Sequence, residues 1–180
     1  MTESQFQFSP LKIQDSFGIQ LQEKFDSRGS LTRIWDLNLF LDKFTVKQIS
    51  LVNNPTNHTL RGLHFQKAPF EENKLVYCIY GKVFDVLVDL RVESKTYLQY
   101  LNLEIGPGLK FQGIQIPSGC AHGYMTLEAN STLLYLMDEE HDPQAASGIA
   151  WNDPSLGIKW PFKPNVLSDK DATWSKLNLE

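Results

Sequence analysis

Two cysteines, Cys78 and Cys120, are all that the 180 residues contain. That excludes a disulfide scaffold and a zinc-finger spacing, and it fits a reduced, cytoplasmic setting. No apolar run approaches the roughly 20 residues that a membrane helix needs. Met1 to Lys12 is polar, so no signal peptide is expected there. An excess of basic charge is also missing. Seventeen Lys and Arg stand against 21 Asp and Glu, a net charge of −4 and a pI near 5.6. Such a chain offers no electrostatic footprint for nucleic acid or an anionic membrane, so local cations must hold any anion. Histidine is scarce, with His58, His64, His122 and His141 the only four. None stands in the His-x-His spacing that would turn two imidazoles to one face of a strand, which leaves a metal site as a minor alternative. Gly106-Pro107-Gly108 lacks the third glycine of a phosphate loop and reads as a turn.

What is present is an ordinary globular composition, 42% hydrophobic and 21% charged, enough for one domain over residues 1–180. No repeat or linker divides it. Short stretches with strand periodicity follow one another between Gly and Pro turns. They are Phe6–Phe8, Leu11–Ile13, Ile19–Gln22, Val46–Val52, Leu60–Gln66, Leu75–Tyr80, Val83–Leu90, Tyr97–Glu104, Phe111–Ile116, Cys120–Leu127 and Thr132–Met137. Phe25 to Ser30 reads as a turn carrying a cation, Arg28. Two stretches read as helix, Asp36–Phe44 and Asp169–Leu177, the latter with Ser168 as N-cap. Even strand spacing with such turns predicts a mainly β protein, an antiparallel barrel or jelly roll with a few short peripheral helices. Barrels of this kind hold ligands in their mouths.

Leu60-Arg61-Gly62-Leu63-His64-Phe65-Gln66 concentrates the chemistry. At strand period, Leu60, Gly62, His64 and Gln66 share one face and Arg61, Leu63 and Phe65 the other. A lone inward His is more often a satisfied core residue than a functional one. The same bland reading applies to a core Tyr135 with its hydroxyl tied up and to Lys74 as a surface lysine. It makes Asp171 a solvated helix start and Glu71-Glu72 and Glu139-Glu140 solvated loop charges. Cys120-Ala121-His122 puts a thiol and an imidazole on one strand face, although Cys is commonly just a small buried residue. Asp85 and Asp89 share one face of their strand with Leu87, an unusual pair of acids.

Taken in order, the segments resemble the dTDP-4-dehydrorhamnose 3,5-epimerases, a family of cupin-type jelly rolls. The resemblance runs from about Phe25 to Asp171. It is carried by Phe25-Asp26-Ser27-Arg28-Gly29, Leu60 to Gln66, Lys74-Leu75-Val76, Gly81 to Val86 with Val88-Asp89-Leu90-Arg91, and Ile116 to Gly123. Trp151-Asn152-Asp153-Pro154, Ile158 to Pro161 and Leu167-Ser168-Asp169-Lys170-Asp171 complete it. It implies a cofactor-free epimerase acting on a dTDP-linked 4-keto-6-deoxyhexose, with no metal. His64 matches the base, Asp171 its orienting carboxylate, Tyr135 the acid and Lys74 the cation at the developing oxyanion. Arg28, Arg61 and Lys170 match residues that hold the phosphates, His122 another pocket residue, and Gln48 a polar contact to the nucleotide or sugar. His141 stands where the family often has a second Tyr, Ala146 and Arg33 where it often has Glu. These departures leave open a monofunctional 3- or 5-epimerase, a keto-isomerising relative or a sugar-nucleotide-binding cupin. The resemblance also implies a homodimer in which strands are exchanged between protomers.

Overall fold

A computed structural model describes residues 6–36 and 44–178. Thirteen strands and one helix follow in chain order among them. The strands are β1 (Phe6–Pro10), β2 (Phe17–Leu21), β3 (Glu23–Asp26), β4 (Gly29–Thr32), β5 (Gln48–Asn54), β6 (Leu60–Gln66) and β7 (Lys74–Tyr80). They continue with β8 (Val83–Asp89), β9 (Tyr100–Ile105), β10 (Gly113–Ile116), β11 (Cys120–Thr126), β12 (Ser131–Met137) and β13 (Ala146–Gly148), and α1 is Asp169–Ala172. A six-stranded sheet has the order β1-β2-β10-β7-β12-β5 and a five-stranded sheet the order β13-β6-β11-β8-β9. Every pairing of named strands is antiparallel. β3 and β4 form a separate hairpin in which every residue is exposed.

Period-two alternation sorts the side chains. Val76 and Cys78 of β7, Leu87 of β8, Ile114 of β10, Tyr124 of β11 and Leu133 of β12 meet in one buried cluster between the two sheets. The alternate residues go to the outer faces. Leu75, Tyr77 and Leu136 pack outside the six-stranded sheet with Phe6, Ile19 and Phe44. Leu63, Val86, Val88 and Ala121 pack outside the other with Ile149 and Leu156. The inward positions not filled with apolar groups are therefore where a site can be built.

One irregularity re-aims the strand that matters most. His64 of β6 pairs with His122 of β11, but Arg61 pairs with Tyr124, so three steps on β6 face two on β11. The extra residue is a β-bulge, and it turns Arg61 to the same cavity as His64 instead of the opposite face. Gly62 is what permits it. Its φ is +130°, and a Cβ there would lie 2.5 Å from Gly123 Cα. The close approach that Gly62 allows is thus by the neighbouring strand.

Two expectations need correction. Leu11–Ile13 is not a strand, although Ile13 is fully buried. The tail is helical only over Asp169–Ala172, capped as expected by the Ser168 hydroxyl, which accepts the Asp171 N–H at 3.1 Å. Beyond it, Ala150 N–H bonds to Ser175 O (3.0 Å) and Leu177 N–H to Asp153 Oδ2 (2.6 Å), so bonds to the body of the protein replace helical ones. The expected helix Asp36–Phe44 lies almost wholly outside the described residues.

Candidate active site

The inward polar positions of β5, β6, β7, β11 and β12 open into one cavity of about 370 Å³, within the range of small-molecule sites. Nine of the ten residues expected from the sequence to act in catalysis or substrate binding line it: Gln48, Arg61, His64, Lys74, His122, Tyr135, His141, Lys170 and Asp171. The tenth, Arg28, does not. It sits at the tip of the exposed hairpin, 87% exposed, and pairs with Asp26 at 2.6 Å.

His64 is held from outside the sheet. Its Nε2 lies 2.6 Å from Asp171 Oδ1. Asp171 is buried, and it also accepts the Gly62 N–H at Oδ2 and the Trp174 indole N–H at Oδ1, both at 3.3 Å. Burial alone would raise the Asp171 pKa. The hydrogen bond and charge of His64, with the two other donors, outweigh burial and hold it below the usual carboxylate value. A carboxylate accepting from Nε2 fixes the tautomer in which Nδ1 carries the free lone pair.

Across the cavity, Tyr135 lies between the polar space and the buried core, against which its ring packs. Burial raises its pKa well above that of free tyrosine, with smaller contributions from Tyr124 and Asp85 and an opposing one from Arg61. Its phenol is therefore kept protonated. The His122 ring meets it edge-on, with centroids 6.0 Å apart.

Lys74 begins β7 on its inward face and is 7% exposed. Its Nζ pairs at 2.8 Å with Glu72. Glu72 is thus a largely shielded counter-ion rather than a solvated loop charge. An ammonium has three protons, so this pairing leaves donors for a ligand. Arg61 Nε and the Tyr124 hydroxyl both donate to Asn54 Oδ1, at 3.0 and 3.1 Å, which fixes the guanidinium at the cavity. Gln48 Oε1 accepts the His141 N–H at 3.0 Å and anchors that loop.

The remaining candidates have structural partners. Gln66 donates to Phe70 O and Glu140 O and accepts the Asp142 N–H, clamping two loops beside the cavity. Cys120 is buried, and burial together with the charge of Asp89 pushes its thiol up to about 12, unfit for a nucleophile. Among the described residues no three His, Cys, Asp or Glu side chains form a metal-ligating group.

Reasoning from sequence took Glu72 for a solvated charge and gave no role to Asn54, Asp85 or Trp174. Only Asp85 left a trace, as an acid on the inward face of an apolar strand. It is fully buried and its Oδ2 lies 2.9 Å from His122 Nε2.

Comparison with known proteins gives one answer. The sequence model of the dTDP-4-dehydrorhamnose 3,5-epimerase family matches residues 10–178. The dTDP-4-dehydrorhamnose 3,5-epimerase of Sinorhizobium fredii is 35% identical over 176 residues, covering 94% of this chain and 89% of that protein. The fold is similar to that of dTDP-4-dehydrorhamnose 3,5-epimerase from Bacillus anthracis, solved with TDP and PPi bound. Identity is 30%, the TM-score 0.89, and the match covers 96% of this chain and 99% of that one. It is equally similar to dTDP-6-deoxy-D-glucose-3,5-epimerase from Legionella pneumophila in complex with dTDP-4-keto-L-rhamnose. There identity is 29%, the TM-score 0.89, and coverage 97% of this chain and 94% of that one. Likeness that runs nearly end to end in both sequence and fold, around a cavity suited to moving protons, leads to one conclusion: the chain belongs to the dTDP-4-dehydrorhamnose 3,5-epimerase family.

Proposed function

We propose that the cavity epimerises a dTDP-linked 4-keto-6-deoxyhexose at the carbons flanking its ketone. One observation carries the reading. The Asp171-held His64, the protonated Tyr135 and the buried Lys74 converge on one open cavity. A ketone acidifies the hydrogens on both neighbouring carbons. The His64 Nδ1 lone pair takes one of them, and the electron pair moves onto the ketone oxygen as an enolate. Lys74 stabilises that oxyanion more than the ground-state carbonyl. Tyr135 returns a proton to the carbon from the other face. A phenol held above its ordinary pKa is a weak acid, but the enolate carbon is a strong base. The His64 proton and the Tyr135 phenolate are then reset through solvent. No step needs a cofactor. Arg61 and Lys170 supply positive charge for the diphosphate, and Gln48, His122 and His141 complete the walls.

The partner we infer is a second copy of the chain. The β3–β4 hairpin exposes Phe25 (76%) and Leu31 (63%), and edge strand β5 exposes Ile49 (61%) and Leu51 (57%). Large apolar side chains grouped this way favour association. A hairpin docked on a partner would carry Arg28 to the partner's cavity. Two free, buried thiols, Cys78 and Cys120, fit a cytoplasmic setting.

Solvent deuterium incorporation tests the reaction. Incubation of dTDP-4-keto-6-deoxyglucose in deuterated buffer is expected to label both carbons next to the ketone. Label at one carbon assigns a monofunctional enzyme, with His141 and Ala146 of the cavity wall as the first residues to exchange for Tyr and Glu. Absence of label removes the epimerase reading.

A further inference from the structure

The segment beyond Asp171 sends one aromatic side chain back into the cavity wall. Trp174 follows α1, is half-buried and lines the cavity. Its seat is Gly148 of β13, the residue paired with His64 across the sheet. A Cβ on Gly148 would fall 2.3–2.6 Å from the indole atoms Cε2, Nε1 and Cδ2, so the ring lies directly on the strand beside His64. From that seat the indole N–H donates to Asp171 Oδ1 at 3.3 Å. The same oxygen faces His64 Nε2 at 2.6 Å. The indole also stands edge-on to the imidazole, with centroids 6.4 Å apart at 68°. Lys170 Nζ lies 5.3 Å from the centre of the indole.

We propose that Trp174 is a positioning residue for proton abstraction: seated on Gly148, its indole locks the Asp171 carboxylate that orients His64. The assignment rests on His64 being the base. A carboxylate bound at one oxygen still rotates about Cβ–Cγ. With the Gly62 N–H on Oδ2 and the indole N–H on Oδ1, rotation breaks one bond or the other. The imidazole then has one orientation from which to reach the sugar, and small misplacements of a base are costly in rate. Gly148 belongs to the same device, because any side chain there unseats the ring.

The test measures deuterium exchange into dTDP-4-keto-6-deoxyglucose, together with dTDP affinity, for the native protein, Trp174→Phe, Asp171→Asn and the double variant. Trp174→Phe retains an aromatic ring and removes the N–H. It is expected to lower exchange about tenfold while dTDP affinity stays within about twofold. In the Asp171→Asn background the same change is expected to cost less than about twofold, because an amide there does not hold His64 as the carboxylate does, which leaves the indole little orientation to transmit. Gly148→Ala is expected to reproduce the Trp174→Phe loss by a different route. Native-rate exchange in both Trp174→Phe and Gly148→Ala overturns the proposal. So does a loss of exchange matched by loss of dTDP affinity, or a full tenfold loss that persists beside Asp171→Asn. A native protein that exchanges no deuterium overturns the epimerase reading and this proposal with it.

Discussion

Two histidine–aspartate pairs stand side by side in this barrel, and they differ in what surrounds them. His64 and His122 are directly opposed on neighbouring strands, and each has a carboxylate at hydrogen-bond distance. The Asp171 that holds His64 comes from a one-turn helix more than a hundred residues away in sequence, and His64 remains open to the cavity. The Asp85 that holds His122 comes from the adjacent strand, and both residues of that pair are almost wholly buried. Asp171 has three donors on its two oxygens. Asp85 has His122 on one oxygen, and its buried Oδ1 has no partner among the described residues. The first pair combines a stabilised carboxylate with an accessible imidazole, the combination a base needs. The second is almost wholly buried, touching the cavity only through the His122 ring, and serves to fix the cavity wall against Tyr135. The same two side chains yield a reactive group or a structural one according to access and satisfaction.

The largest effect expected from breaking this contrast is on rate, at His64. His64→Ala should lower deuterium exchange by about a thousandfold, in the range attributed to a positioned general base. It should lower thermal stability only modestly, since the lost imidazole is partly exposed and the buried Asp171 carboxylate keeps the Gly62 and Trp174 donors. Exchange at the native rate would move the base elsewhere, His122 being the next imidazole. Tyr135→Phe should separate the two halves of the reaction. Abstraction and exchange should persist within about tenfold, whereas formation of the inverted sugar should fall by about a hundredfold. A proportional loss of both would remove Tyr135 as the acid.

Much of this contrast was legible in the sequence, and the rest was hidden for physical reasons. β6 runs over Leu60–Gln66, as alternation predicts. The orientation of Arg61 was not legible, because a bulge is set by pairing with β11 and leaves the periodicity of β6 intact. The helix cap at Ser168 could be read, but not the arrest of the helix at Ala172. Bonds from the tail to Ala150 and Asp153 outcompete local helix propensity. Glu72 looked like a solvated charge because nothing local reveals that Lys74 is buried beside it. Trp174 gave no signal at all, since its seat on Gly148 exists only once the sheet has formed. Strand β13 is three residues of small side chains with no apolar pattern to find.

The second pair should respond in stability rather than chemistry. Asp85→Ala leaves a buried imidazole without its partner, and that should cost about 1–3 kcal/mol. Denaturant unfolding of Asp85→Ala and Asp171→Ala, set against their exchange rates, gives the sharper form of the comparison. Asp85→Ala should lose more stability than Asp171→Ala and less of its exchange rate. The opposite ranking would mean that His122, rather than His64, is the reactive imidazole.

The smallest expected effect concerns acid. The folded protein holds the Asp171 pKa below the ordinary carboxylate value, because donors outweigh burial. A carboxyl whose pKa is lowered by folding binds protons more readily when unfolded. Its contribution to stability is therefore complete above the unfolded pKa, about 3.9, and is lost as pH falls through the lower folded value. Asp171→Asn removes that contribution at neutral pH and has nothing further to lose in acid. Unfolding temperatures of the two proteins should thus converge as pH drops from about 6 toward about 3, with the native curve falling the more steeply. Parallel curves would mean that the carboxylate is no better held in the folded protein than in the unfolded one. Its three donors would then serve orientation alone.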